Sequence, residues 1–113
     1  SDVYKRQPEG RVKNRLKYLF KRLDVWYFMP QAGAFGKAGI PDFVLIVEGR
    51  FVGVECKAGR IKRPTLLQQL AMEGIEKAGG KCFVVYDYDT QDELERWILN
   101  ARNTKGAGVS TKT

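Results

Sequence analysis

Apolar residues recur along this chain with two different periods, and the switches between them mark out seven elements. From Pro8-Glu9 onward, Val12, Leu16, Leu19, Phe20 and Leu23 fall at helical spacing and form one stripe. Arg11, Lys13, Asn14, Arg15, Lys17, Lys21 and Arg22 fill the rest of that helix and read as a solvated basic face. Val25 to Met29 is a short apolar run closed by Pro30, as expected of a first strand. Two further runs, Phe43–Val47 and Phe51–Lys57, flank the turn Glu48-Gly49-Arg50 and predict a hairpin. A second helix is predicted from about Thr65 to Ala78, stopped by Gly79-Gly80, with Leu67, Leu70, Ala71, Gly74, Ile75 and Ala78 facing the sheet. Lys81–Tyr86 reads as the last strand. Thr90-Gln91-Asp92-Glu93 is read as the cap of a third helix whose stripe is Leu94, Trp97, Ile98 and Ala101. The order α-β-β-β-α-β-α predicts an α/β domain, one mixed sheet with helices packed on it.

At 113 residues the chain makes one domain, placed at 8–101. Residues 1–7 are unlike the rest, resemble translated sequencing-adapter read-through and are read as a non-native leader. The Gly/Ser/Thr/Lys-rich stretch 102–113 is expected to be disordered. No apolar span is long enough to cross a bilayer.

Charge sharpens this picture. Lys and Arg number 20 against 13 acids, a net of +7, which favours polyanionic partners, nucleic acid first. Histidine is absent, so His-ligated zinc and His-based nucleophilic triads are excluded. Hydrolysis would have to run on carboxylates, lysine and metal. Cys56 and Cys82 form no CxxC pattern and read as free thiols in strands.

The candidate chemistry lies at the hairpin. Side chains two apart on a strand share a face, so Glu55 and Lys57 point the same way, roughly 6–7 Å apart. Pairing in register brings Asp42, which precedes the first hairpin strand, close to Glu55. Two carboxylates and an ammonium on an otherwise apolar sheet are costly to bury without partners. A divalent cation is one reason for them, and a same-face ion pair at a sheet edge is another. Glu9 continues the apolar stripe of the first helix, so its carboxylate points toward the sheet; a first-turn acid is also favoured by the helix dipole. Thr65 and Gln68 stand at capping-box spacing, which gives Gln68 a local role. Lys37 lies in the Gly-rich loop 31–39, and Arg60, Lys62 and Arg63 in a basic loop beside the carboxylates. All four suit phosphate contacts. Gly36-Lys37 is not a nucleotide-binding P-loop, because Ala38 stands where Ser or Thr is required.

Gly39-Ile40-Pro41-Asp42, then Glu55-Cys56-Lys57, then Gln68 in the following helix, resembles the VRR-NUC branch of the PD-(D/E)XK nuclease superfamily, in particular its small stand-alone phage-type members. The likeness runs from about Pro8 to Asp87. It implies a restriction-endonuclease-like α-β-β-β-α-β core with a mixed four-stranded sheet. It implies that Asp42, Glu55 and the Cys56 backbone carbonyl hold Mg²⁺ or Mn²⁺, with Glu9 completing the shell. Lys57 would position the attacking water, and Gln68 would support Lys57 and the scissile phosphate. The activity implied is a metal-dependent DNA endonuclease, selective for branched DNA or four-way junctions and acting as a homodimer. Its implied setting is the cytoplasm of a bacterial host cell, encoded by a phage or prophage. A catalytically silent nucleic-acid-binding module on the same fold is the alternative.

Overall fold

The computed structural model describes residues 8–31, 33 and 36–111. The leader 1–7, Ala32, Ala34 and Phe35 of the Gly-rich loop, and the last two residues lie outside the described residues.

Seven elements appear in the predicted order. They are α1 (Pro8–Arg22), β1 (Trp26–Phe28), β2 (Phe43–Val47), β3 (Arg50–Cys56), α2 (Leu66–Lys77), β4 (Lys81–Val85) and α3 (Tyr88–Thr111). The four strands form one sheet in the order β1-β2-β3-β4. The first two pairings are antiparallel and β3 runs parallel to β4, so the sheet is mixed. Glu48 and Gly49 both take positive φ, which closes the hairpin between β2 and β3. Strand alternation then sorts the side chains. Phe43, Leu45, Val52, Val54, Cys56 and Val85 turn to one face and meet Val12, Leu16, Leu19 and Phe20 of α1 and Leu94 and Ile98 of α3. Phe20, Phe43 and Tyr27 knit that core together, ring centroids 5.2–5.7 Å apart.

The opposite face differs from expectation. α2 has no buried residue. Leu67 and Leu70 are 55% and 52% exposed, although the sequence pattern aimed both at the sheet. The helix lies over the β4 end, where Met72 O is 3.8 Å from Cys82 Sγ and Gly80 packs under Ile75. Its apolar stripe is wider than one edge strand can cover. Leu67, Leu70, Ala71, Gly74, Ile75 and Ala78 therefore line an open groove with Ala38 and Ile40. Across β1–β3 on this face, Trp26, Ile46 and Phe51 stand in register and exposed, with Phe28 edge-on to Trp26 at 5.8 Å.

Two boundaries also move. The cap of α3 is Asp87 and not the Thr90–Glu93 stretch: Thr90 N–H donates to Asp87 Oδ1 at 2.9 Å, and the Asp87 N–H donates back to Thr90 Oγ1 at 3.1 Å. These contacts, with Arg60, hold the Asp87 carboxyl down at about 2. α3 continues to Thr111, into the stretch for which composition predicts disorder. Arg102 ties this extension to the core by donating to Leu23 O at 2.7 Å and Asp24 O at 3.2 Å.

One contact places the Pro41-Asp42 corner. Gly39 has φ of 76°, and a Cβ there would lie 2.4 Å from Leu67 O. Only glycine lets this loop lie against the start of α2. Gly39→Ala is therefore expected to cost about 2 kcal/mol, read as a lower urea midpoint, with Gly49→Ala milder because nothing crowds its Cβ.

Candidate functional site

The site forms where β2 begins and β3 ends. Phe43 pairs with Val54, so the next step along the ladder sets Asp42 opposite Glu55. Because Phe43 and Val54 face the core, Asp42 and Glu55 face the other way, and Cys56 turns inward, fully buried. The Asp42 carboxylate is fixed by its own strand partner: Cys56 N–H donates to Asp42 Oδ2 at 2.8 Å. Lys57 follows β3 directly, its N–H donating to Val85 O at 3.0 Å.

Glu55 is only 3% exposed, and its Oε2 is buried with no hydrogen-bond partner. Burial is the main reason its carboxyl is pushed from an ordinary 4.5 up to about 9. The hydrogen bond and negative charge of Asp42 push the same way, the Lys57 ammonium opposes them, and Glu9 adds to the rise. Burial thus favours the neutral acid over the carboxylate at Glu55. Burial also raises the Cys56 thiol far above its ordinary value and the Cys82 thiol to about 11, so neither is a ready thiolate.

Lys13, which the sequence pattern assigns to the solvated basic face of α1, reaches the site. Its Nζ lies 3.4 Å from Asp42 Oδ1 and 3.7 Å from Glu9. Partial burial works to lower its pKa, but the charges of Asp42 and then Glu9 outweigh this and raise it above the ordinary value. The i, i+4 spacing of Glu9 and Lys13 was the available signal. Glu9 therefore joins the cluster through Lys13.

Beside these groups lies a cleft of about 350 Å³, lined by Lys13, Gln31, Gly39, Pro41, Asp42 and Gln68 among others. Gln68 makes the capping box as its spacing predicts, with Oε1 accepting from Thr65 N–H at 2.8 Å, while standing at the cleft wall. The four basic residues separate. Lys37 lines the apolar α2 groove. Arg60 pairs with Asp87 at 2.9 Å and lies 5.9 Å from the Tyr86 ring. Lys62 and Arg63 are exposed on the loop after Lys57.

Among the described residues, no group of three or more His, Cys, Asp or Glu side chains is gathered as a metal cage. The donor set still suits a hard cation. Mg²⁺ is commonly held by one or two carboxylates and keeps several waters. Asp42 and Glu55 supply such a pair, and the unpartnered Glu55 Oε2 is a buried oxygen that a cation would satisfy.

Neither the family models nor the curated proteins match this chain. Among solved structures, a VRR_NUC domain protein superposes with a TM-score of 0.57 at 20% identity, over 67% of this chain and 69% of that chain. At that identity the likeness is one of fold. The three helices and mixed four-stranded sheet have the VRR_NUC arrangement that the motifs at Asp42, Glu55–Lys57 and Gln68 led one to expect. Among the described residues, no helix is long and apolar enough to cross a membrane.

A pH dependence follows from Glu55. Its folded pKa lies above its ordinary value, so the unfolded chain releases the proton first as pH rises. The contribution of Glu55 to stability is fully present below about pH 4.5 and is lost progressively up to about pH 9. In metal-free buffer, urea midpoints of Glu55→Gln should fall less between pH 5 and 8.5 than those of the native chain. The variant should be the more stable of the two at pH 8.5, by about 1 kcal/mol.

Proposed function

We propose that this protein is a metal-dependent endonuclease that hydrolyses phosphodiester bonds in DNA. The observation that carries the reading is the buried, unpartnered Glu55 oxygen beside Asp42 at the end of a strand pair, with Lys57 two residues on. A fold can place a carboxylate in so unfavourable a position when a ligand compensates for it, and hard cations bind oxygen.

Asp42 and Glu55 are the residues that would hold Mg²⁺ or Mn²⁺, with the Cys56 carbonyl as a further donor and Glu9 within reach of the cluster. When bound, the cation supplies positive charge that acidifies water and neutralises charge building on the phosphate. Lys57 is the compact cation available to orient the attacking water and stabilise the developing oxyanion. Gln68, held by Thr65, lines the cleft and would support Lys57 and the scissile phosphate. Cys56 N–H keeps Asp42 from turning away. Lys62 and Arg63, exposed on the loop after Lys57, would grip the nucleic-acid backbone, with Lys37 a further exposed cation and Arg60 already paired with Asp87.

Branched DNA or four-way junctions are the proposed substrates, with the cytoplasm of a bacterial host cell, under a phage or prophage origin, as the setting. One small site cuts one strand, so a symmetric pair is the natural working form. The in-register row Trp26–Ile46–Phe51 with Phe28 is a continuous apolar face suited to self-association. Ile46→Asp should shift the native chain toward monomer in sedimentation velocity runs, while leaving the far-UV spectrum in place. An unchanged sedimentation coefficient would remove this face from the dimer.

The activity itself is tested by incubating labelled junction, flap and linear duplex DNA with Mg²⁺, Mn²⁺ or EDTA. Cleavage should require the cation. It should drop by about 10²-fold or more in Lys57→Ala and further in Asp42→Ala, while binding in EDTA survives. Full cleavage by either variant would end the assignment. Binding without cleavage by the native chain, whatever the metal, would favour the silent module.

A further inference from the structure

Asp42 has two carboxylate oxygens, and the fold commits one of them. Oδ2 accepts the Cys56 N–H at 2.8 Å, a side chain–backbone bond just beyond the paired residues of β2 and β3. Oδ1 meets the Lys13 ammonium at 3.4 Å, and the Glu55 carboxyl also hydrogen-bonds to Asp42. The same ammonium holds Glu9 at 3.7 Å. Both contacts are longer than the roughly 2.7–2.9 Å of a strong charge-assisted hydrogen bond, and both partners are partly exposed, so the pairing is easily exchanged. Lys13 sits on the wall of the cleft beside Asp42 and Gln68. Its four-carbon stem leaves a rigid helix, so the amine can swing without backbone movement.

Resting on the cation reading of Asp42 and Glu55, we propose that Lys13 is an internal counter-ion of this site. It neutralises Asp42 and Glu9 while no divalent cation is present, yields Asp42 Oδ1 when one binds, and then turns to a phosphate oxygen of the nucleic acid. The physical reason is that an ammonium and a divalent cation repel each other across a shared carboxylate oxygen, and the doubly charged ion binds the more strongly. The released amine remains in the cleft that the substrate backbone would enter, so cation binding creates an anion contact that the metal-free protein lacks. Binding of metal and of DNA is thereby coupled in the favourable sense.

The test compares the native chain with Lys13→Met, which keeps the alkyl stem, and with Lys17→Met, which removes an exposed charge from the same helix. Free Mn²⁺ is followed by electron paramagnetic resonance during titration. Lys13→Met should bind Mn²⁺ roughly twofold to fivefold more tightly than the native chain, and Lys17→Met should not. Separately, brief acetylation of the native chain with mass-spectrometric readout should label Lys13 faster when Mg²⁺ is added, with Lys17 unchanged. Equal Mn²⁺ affinity in Lys13→Met and Lys17→Met, or Lys13 labelling that does not rise with Mg²⁺, overturns the counter-ion role and leaves the cation site standing. Absence of Mn²⁺ binding by both the native chain and Lys13→Met overturns the cation reading as well.

Discussion

The structure depends on how one buried carboxylate is tolerated. Glu55 lies on the third strand of the sheet, almost fully covered, with an oxygen that meets no donor. Removing such a group from water without a partner is among the more costly things a fold can do. Burial in the apolar sheet, and then Asp42 on the neighbouring strand, both favour the neutral acid, which lowers that cost. In the proposed reading, a cation held by Asp42 and Glu55 would favour the ionised carboxylate in place of the neutral acid.

The rest of the fold can be understood as support for that arrangement. The α1/α3 face carries the packed core, so β2 and β3 are held firmly from behind. The other face is thinly covered. α2 packs at β4, and Gly39 lets the loop before Asp42 lie directly on Leu67 O, so the Glu55 end of this face is covered while Trp26, Ile46 and Phe51 are exposed. The packed side keeps the strand backbone fixed, while on the other side Asp42 lines the cleft and Glu55 lies buried beside it. Polar groups placed on rigid strands hold geometry better than groups on loops, which suits a site whose chemistry depends on distance.

Electrostatics adds a second layer. The chain is strongly basic, yet the positive charge close to the acids is mostly engaged: Lys13 with Asp42 and Glu9, Arg60 with Asp87. The excess that remains along the loop after Lys57 is available to a polyanion. Net charge favours polyanions in general, and local pairing decides which cations stay exposed.

Much of this was legible in the sequence. Element order, the hairpin, the opposition of Asp42 and Glu55 and the inward turn of Cys56 all follow from period, turn chemistry and strand alternation, which are local rules. The Thr65–Gln68 cap follows from spacing alone. Other features were decided only when distant segments met. Lys13 looked like one more solvated lysine, and it became part of the site because α1 crosses the sheet end where Asp42 lies. The apolar stripe of α2 predicted a buried helix, but how much of it is covered depends on where the helix lands on the sheet, which no single segment encodes. Asp87 took the cap of α3 from Thr90 by the geometry of the strand exit. Local pattern fixes what each piece prefers to be; the packing of pieces far apart in sequence determines which charges meet.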